Sequence, residues 1–152
     1  MSLVQPFLRV CRILRGRGLV QHGARPYEGV FNPIMLAAQD GNYDMCLFLL
    51  QQSSDTVTLL KSIDNIGYQP LRHAVNFGFL RIAELFLNNG ADINALDNHK
   101  ESILGWAIRS VNNTSDNVMF CLEHGAQPTD LDRKRFTEHL KNKPELEEFR
   151  PR

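Results

Sequence analysis

The chain has 152 residues, and its 17 lysines and arginines balance 17 aspartates and glutamates. That length suits one domain, and a net charge of zero supplies no overall field to draw in nucleic acid or an anionic membrane. The apolar fraction of 43%, with no apolar run long enough to span a bilayer, predicts a soluble globular chain.

Residues 1–27 hold Arg9, Arg12, Arg15, Arg17 and Arg25 and no acidic residue. Two readings stand. One is an Arg-rich, acid-free transit peptide, which would send the chain to mitochondria. The other is a clipped terminal copy of a unit that recurs downstream. Gln5-Pro6-Phe7-Leu8 echoes Gln69-Pro70-Leu71-Arg72, and Leu19-Val20-Gln21-His22-Gly23-Ala24 echoes Leu87-Asn88-Asn89-Gly90-Ala91. Serine and threonine are nearly absent there, with Ser2 alone, which favours the terminal copy. Arginines interrupt the N-terminal apolar residues, so no secretory signal is expected.

In residues 28–63, Asn32-Pro33-Ile34-Met35-Leu36-Ala37-Ala38 opens a helix, Gly41 separates it from a second, and Met45, Phe48, Leu49 and Leu50 give the second an apolar stripe. Asp55 to Ser62 adds extra residues, so that Gln69 follows Asn32 by 37 positions; Val57, Leu59 and Leu60 predict that this insert packs down. Residues 64–97 are the most regular unit. Gly67 makes a turn, and Pro70 opens a helix where its missing N–H costs nothing. Leu71, Ala74 and Val75 share one face, and Gly78 breaks the helix. Ile82, Leu85 and Phe86 then recur at helical spacing, and Gly90 closes the second helix.

The next unit opens at Ser102, 33 residues after Gln69, with Ile103 in place of proline and Gly105 before Trp106. Trp106 is expected inside the helix stack. Asn112 to Ser115 is a polar loop, with Ser115 or Asp116 placed to cap a helix running through Val118, Met119, Cys121 and Leu122. Thr129-Asp130 opens a charged terminal helix through Phe136 and Leu140, which Pro144 ends, and Leu146 and Phe149 suggest one more turn.

The segment Gln69-Pro70-Leu71-Arg72-His73-Ala74, the mid-unit Gly78 and the close Gly90-Ala91-Asp92-Ile93-Asn94-Ala95 resemble an ankyrin repeat, whose pattern starts Thr-Pro-Leu-His-x-Ala. Gln replaces Thr and Arg replaces His; the close is complete. The resemblance implies an all-α ankyrin-repeat solenoid forming a single domain over 1–152. Its parts would be a degenerate capping repeat at 1–27, repeats at 28–63, 64–97 and 98–128, and a capping helix at 129–152.

Catalytic chemistry has no pattern to stand on. None of His22, His73, His99, His124 and His139 forms a metal-ligand pair, and no phosphate loop is present. No nucleophile–base arrangement is visible either, so neither a catalytic group nor a metal or other cofactor is expected. His73 is read as bonding a neighbouring loop backbone, and Asp64, Asp92 and Asp97 as turn carboxylates that accept from main-chain amides. Cys11, Cys46 and Cys121 lie in apolar helical contexts without a CxxC pair and read as buried free thiols, in keeping with a cytoplasmic protein.

The family resemblance implies that the chain binds another protein, with loop tips and first helices lining a concave groove. Counting from each helix start places those positions at Glu28, Phe31, Gln39 and Asp40; at Asn65, Ile66, Tyr68, Asn76 and Phe77; and at Asn98, His99, Glu101, Arg109 and Ser110. The large apolar side chains Ile66, Tyr68 and Phe77 stand where water is expected, although Phe77 and Phe79 have local packing against neighbouring loops as a rival reading. Tyr68 is expected to be dispensable for folding, and Glu28, Asp40 and Glu101 to favour a basic partner. The implied function is a non-catalytic adaptor or inhibitor, monomeric or within a hetero-complex, without nucleic-acid or membrane partners. Rival readings are an accessory or immunity-type subunit that occludes an enzyme's active site, or a viral or pathogen factor delivered into a host cell.

Overall fold

Most of the described helices begin where the local sequence supplies a cap or a proline. The computed structural model describes residues 32–109 and 115–141, except for the side chains of His139 and Leu140. The expectations for residues 1–27, Phe31, Cys11, the Asn112–Thr114 loop, Pro144, Leu146 and Phe149 lie outside these residues. Helix α1 (Pro33–Gln39) starts with the Asn32 carboxamide accepting from Ile34 N–H at 3.1 Å. Helix α2 (Tyr43–Gln52) starts with Asn42 accepting from Met45 N–H at 3.0 Å. The insert forms its own helix, α3 (Thr56–Lys61), capped by Asp55 accepting from Thr58 N–H at 3.0 Å. Such caps satisfy amides that have no partner within the helix.

Two helices follow in the most regular unit, α4 (Pro70–Asn76) and α5 (Leu80–Asn88). Then come α6 (Ile103–Arg109), α7 (Ser115–Glu123) and α8 (Asp130–Leu140). Among the described residues there is no strand beyond an isolated bridge between Leu96 and Ser102. The helices lie in two rows. The inner row is α1, α4, α6 and α8 in chain order, each packed on the next, and α2 packs on α5 in the outer row. Between the rows lies a core that includes Ile34, Leu71, Ala74, Ile82, Phe86, Leu104 and Val118.

The insert packs down as expected. Leu60 is buried, and Thr56 Oγ1–H donates to the Asn89 carbonyl at 3.3 Å, tying α3 to the end of α5. Ser62 Oγ accepts from Asn32 Nδ2 at 2.8 Å, which ties the insert back to the start of its own repeat. Cys46 and Cys121 are both buried free thiols, and burial pushes each up to about 12. Phe79 belongs to the frame. Three of its ring atoms lie 2.5–2.9 Å from where a Gly41 Cβ would stand, and Gly41 has a φ of 69°. That turn tolerates glycine for both reasons.

The terminal helix is held by more than burial of Phe136. Thr129 N–H donates to Asp132 Oδ2 at 2.9 Å, and Asp132 N–H donates to Thr129 Oγ1 at 3.1 Å, a reciprocal cap. The buried Asp132 carboxylate also accepts from Ser102 Oγ–H at 2.8 Å, across the gap to α6. Glycine at 105 makes room for it: a Cβ there would collide with Asp132 Oδ1 and lie 3.2 Å from Ser102 Oγ. Gly105→Ala should therefore displace the carboxylate from its cap and outweigh the alanine's helix propensity, lowering stability by about 1–3 kcal/mol in a denaturant melt. A more stable variant would show that Asp132 can move aside freely.

Candidate binding groove

The hairpins between repeats are shaped by one carboxylate each. Asp64 Oδ1 accepts from Ile66 N–H and Tyr68 N–H, both at 2.9 Å. Asp97, 33 residues on, accepts from His99 N–H at 2.7 Å and Glu101 N–H at 3.0 Å. Asp92 accepts from Asn94 N–H at 2.8 Å in the turn between them. All three are the turn carboxylates the sequence implies. The hairpins are also joined to each other, Asn98 N–H donating to the Ile66 carbonyl at 3.3 Å.

His73 does something other than bond a loop backbone. Its Nε2 lies 3.0 Å from Asp64 Oδ2 and its Nδ1 lies 3.0 Å from Gln39 Nε2. A carboxamide nitrogen can only donate, so Nδ1 accepts and Nε2–H donates to Asp64. The imidazole is therefore neutral and links α1, α4 and the first hairpin. Burial holds its pKa below the ordinary value, against the opposing pull of Asp64.

Arg72, on the same helix, is buried to 2% exposure. Its Nη1 lies 3.2 Å from Asp97 Oδ2 and donates to the Glu101 carbonyl at 3.3 Å. The guanidinium stands 4.0 Å from the Tyr68 ring centroid and 5.2 Å from that of Trp106. These faces cover a cation whose Nε and Nη2 have no hydrogen-bond acceptor. Trp106 Nε1–H donates to Tyr68 Oη at 3.0 Å, and the two rings meet edge to face.

Three expectations change here. Trp106 is only half-buried and lies on the groove wall, not inside the helix stack. Tyr68 is a member of the frame, because its hydroxyl accepts from Trp106 and its ring covers Arg72, so its removal is now expected to cost stability. Glu101 is likewise no free charge for a basic partner. It pairs with Arg72, with Arg109 at 3.0 Å and with Arg135.

Together these elements enclose an open groove of about 800 Å³. Of the positions derived from the sequence, Gln39, Asn65, Ile66, Tyr68, Asn76 and Phe77 line it. Phe77 is 57% exposed and Ile66 40%, so Phe77 parts company with the frame residue Phe79. Asp40 and His99 do not line it, nor does Arg109, which stacks over Trp106 at 4.6 Å and is half exposed. Glu28, Phe31 and Ser110 lie outside the described residues. The sequence reading missed Asp64, His73, Leu80, Trp106, Asp116 and Asn117 in the lining. A signal existed for Trp106: it falls 33 residues after His73, at the same place in its repeat. Asn117 gave none; its buried Nδ2 donates to the Val75 carbonyl at 3.0 Å and joins α7 to α4.

A family model described as ankyrin repeats in three copies matches residues 13–97 and 34–132. The chain belongs to the ankyrin-repeat family. Ankyrin repeats generally serve as protein–protein interaction modules and are typically non-catalytic. No curated protein sequence matches the chain significantly. Among the described residues, no helix is long and apolar enough to cross a membrane, and no group of histidine, cysteine and carboxylate side chains is arranged to hold a metal ion.

The polar frame of this ankyrin groove yields two expectations. Arg72→Met should strand the buried Asp97 carboxylate and cost about 3–5 kcal/mol in a denaturant melt, whereas a loss within ~0.5 kcal/mol would mean the ion pair is dispensable. For His73 the folded chain favours the neutral ring. Its contribution is complete above the unfolded pKa of about 6.5 and is lost as pH falls below that, where the unfolded chain takes up the proton more readily. The melting temperature should thus drop more steeply for the wild type than for His73→Gln between about pH 7.5 and 5; parallel curves would remove His73 as the cause.

Proposed function

We propose that the chain is a non-catalytic adaptor or inhibitor that captures a partner protein in the groove between its hairpins and inner helices. The observation that carries this reading is the pairing of exposed Phe77 and Ile66 with a wall of Tyr68 and Trp106 held by the Arg72 network. Large apolar side chains left in water on a concave surface are characteristic of docking sites. Aromatic anchors in a prearranged pocket supply most of the binding energy of an interface. A pocket fixed by buried ion pairs also loses little freedom on binding.

The repeats at 28–63, 64–97 and 98–128 would each contribute a strip of this surface. Gln39, Asn65 and Asn76 offer polar contacts around the apolar anchors, while Asp40, His99 and Arg109 would touch only a partner that extends past the groove. The chain is read as acting as a monomer that enters a hetero-complex.

The test is capture of the partner from the native cell by the wild-type chain, followed by calorimetry against Phe77→Ala. Phe77 is 57% exposed, so folding should persist while affinity falls by ~1–3 kcal/mol. An unchanged affinity would place the interface elsewhere.

A further inference from the structure

The groove has a chemical bias that narrows what it holds. Among the described residues its lining contains two carboxylates, Asp64 and Asp116, and neither lysine nor arginine. The nearby cations are answered elsewhere: Arg72 faces Asp97, and Arg109 faces Glu101. The neutral His73 leaves the Asp64 charge uncancelled, and Asp116 is exposed in the first turn of α7. A cleft lined by one sign of charge focuses its field on the opposite sign.

The lining runs from Gln39 on α1 through Asn76 on α4 and Trp106 on α6 to Asp116 on α7. Three neighbouring inner helices at roughly 8–10 Å spacing make a track of about 20 Å. That is the length of about six residues of extended chain.

We propose that the groove holds an extended, cationic segment of another protein. One bulky apolar side chain seats among Ile66, Phe77 and Trp106, and a lysine or arginine lies at Asp116. This rests on the groove reading above and names the chemistry of its occupant.

The test pans a phage-displayed library of random ten-residue peptides on the intact chain, with circular dichroism to verify that each variant folds. Recovered peptides should combine an aromatic or aliphatic residue with lysine or arginine. Their synthetic versions should bind Phe77→Ala and Asp116→Lys about tenfold more weakly or worse. A version with its basic residue changed to glutamate should prefer Asp116→Lys to the wild type. Acidic or uncharged peptides, or peptides indifferent to Asp116→Lys, overturn the cationic segment. If those peptides still lose affinity for Phe77→Ala, the groove remains the docking site; if they ignore Phe77 as well, both readings fall. A selection that recovers nothing also overturns the linear segment and leaves the groove to folded surfaces.

Discussion

A guanidinium withdrawn from water is the constraint on which the groove depends. Removing Arg72 from solvent costs several kcal/mol, which only close counter-charges and good geometry can offset. Here Asp97 stands 3.2 Å away, the Glu101 carbonyl accepts from Nη1, and the Tyr68 ring lies 4.0 Å from the cation. Satisfying Arg72 therefore fixes the second hairpin through Asp97 and Glu101, and the groove wall through Tyr68 and Trp106. One buried charge joins the frame to the groove proposed to meet a partner.

The same problem, how to lock one repeat to the next, is solved three ways along the inner row. Between α1 and α4 the link is neutral and passes from Gln39 through His73 to Asp64. Between α4 and the hairpin preceding α6 it is ionic, from Arg72 to Asp97. Between α6 and α8 it is a hydroxyl on a carboxylate, Ser102 to Asp132, with Gly105 leaving the space. In a stack where each unit touches only its neighbours, such junctions carry cooperativity between repeats. Their differing chemistry makes each one specific to its own neighbour.

The helix pairs were legible because their signals are local: Pro70, the broken period at Gly78, the spacing of Ile82, Leu85 and Phe86, and the 33-residue return at Ser102. The turn roles of Asp64, Asp92 and Asp97 were legible for the same reason, since an aspartate that accepts from amides two to four residues on needs no distant partner. The second oxygen of Asp64 and of Asp97 was not legible. What it meets, His73 or Arg72, is decided by how one repeat settles on another. The roles of Tyr68, Trp106 and Glu101 were misjudged on the same account, because counting along a repeat gives position and not company. Asn117 reaches the Val75 carbonyl over 42 residues, a contact that no periodicity announces.

Because Asp64 and Asp97 grip each hairpin from its base through main-chain amides, the bend of each loop is set by its backbone more than by the side chains at its tip. Residues 65, 66 and 99 can thus change at little cost to the scaffold, whereas the Asn98 side chain packs against Gly67 of the neighbouring hairpin. On the proposed reading of the groove, a lineage carrying this chain can retarget it by exchanging a handful of tip residues, keeping the architecture while the quarry changes.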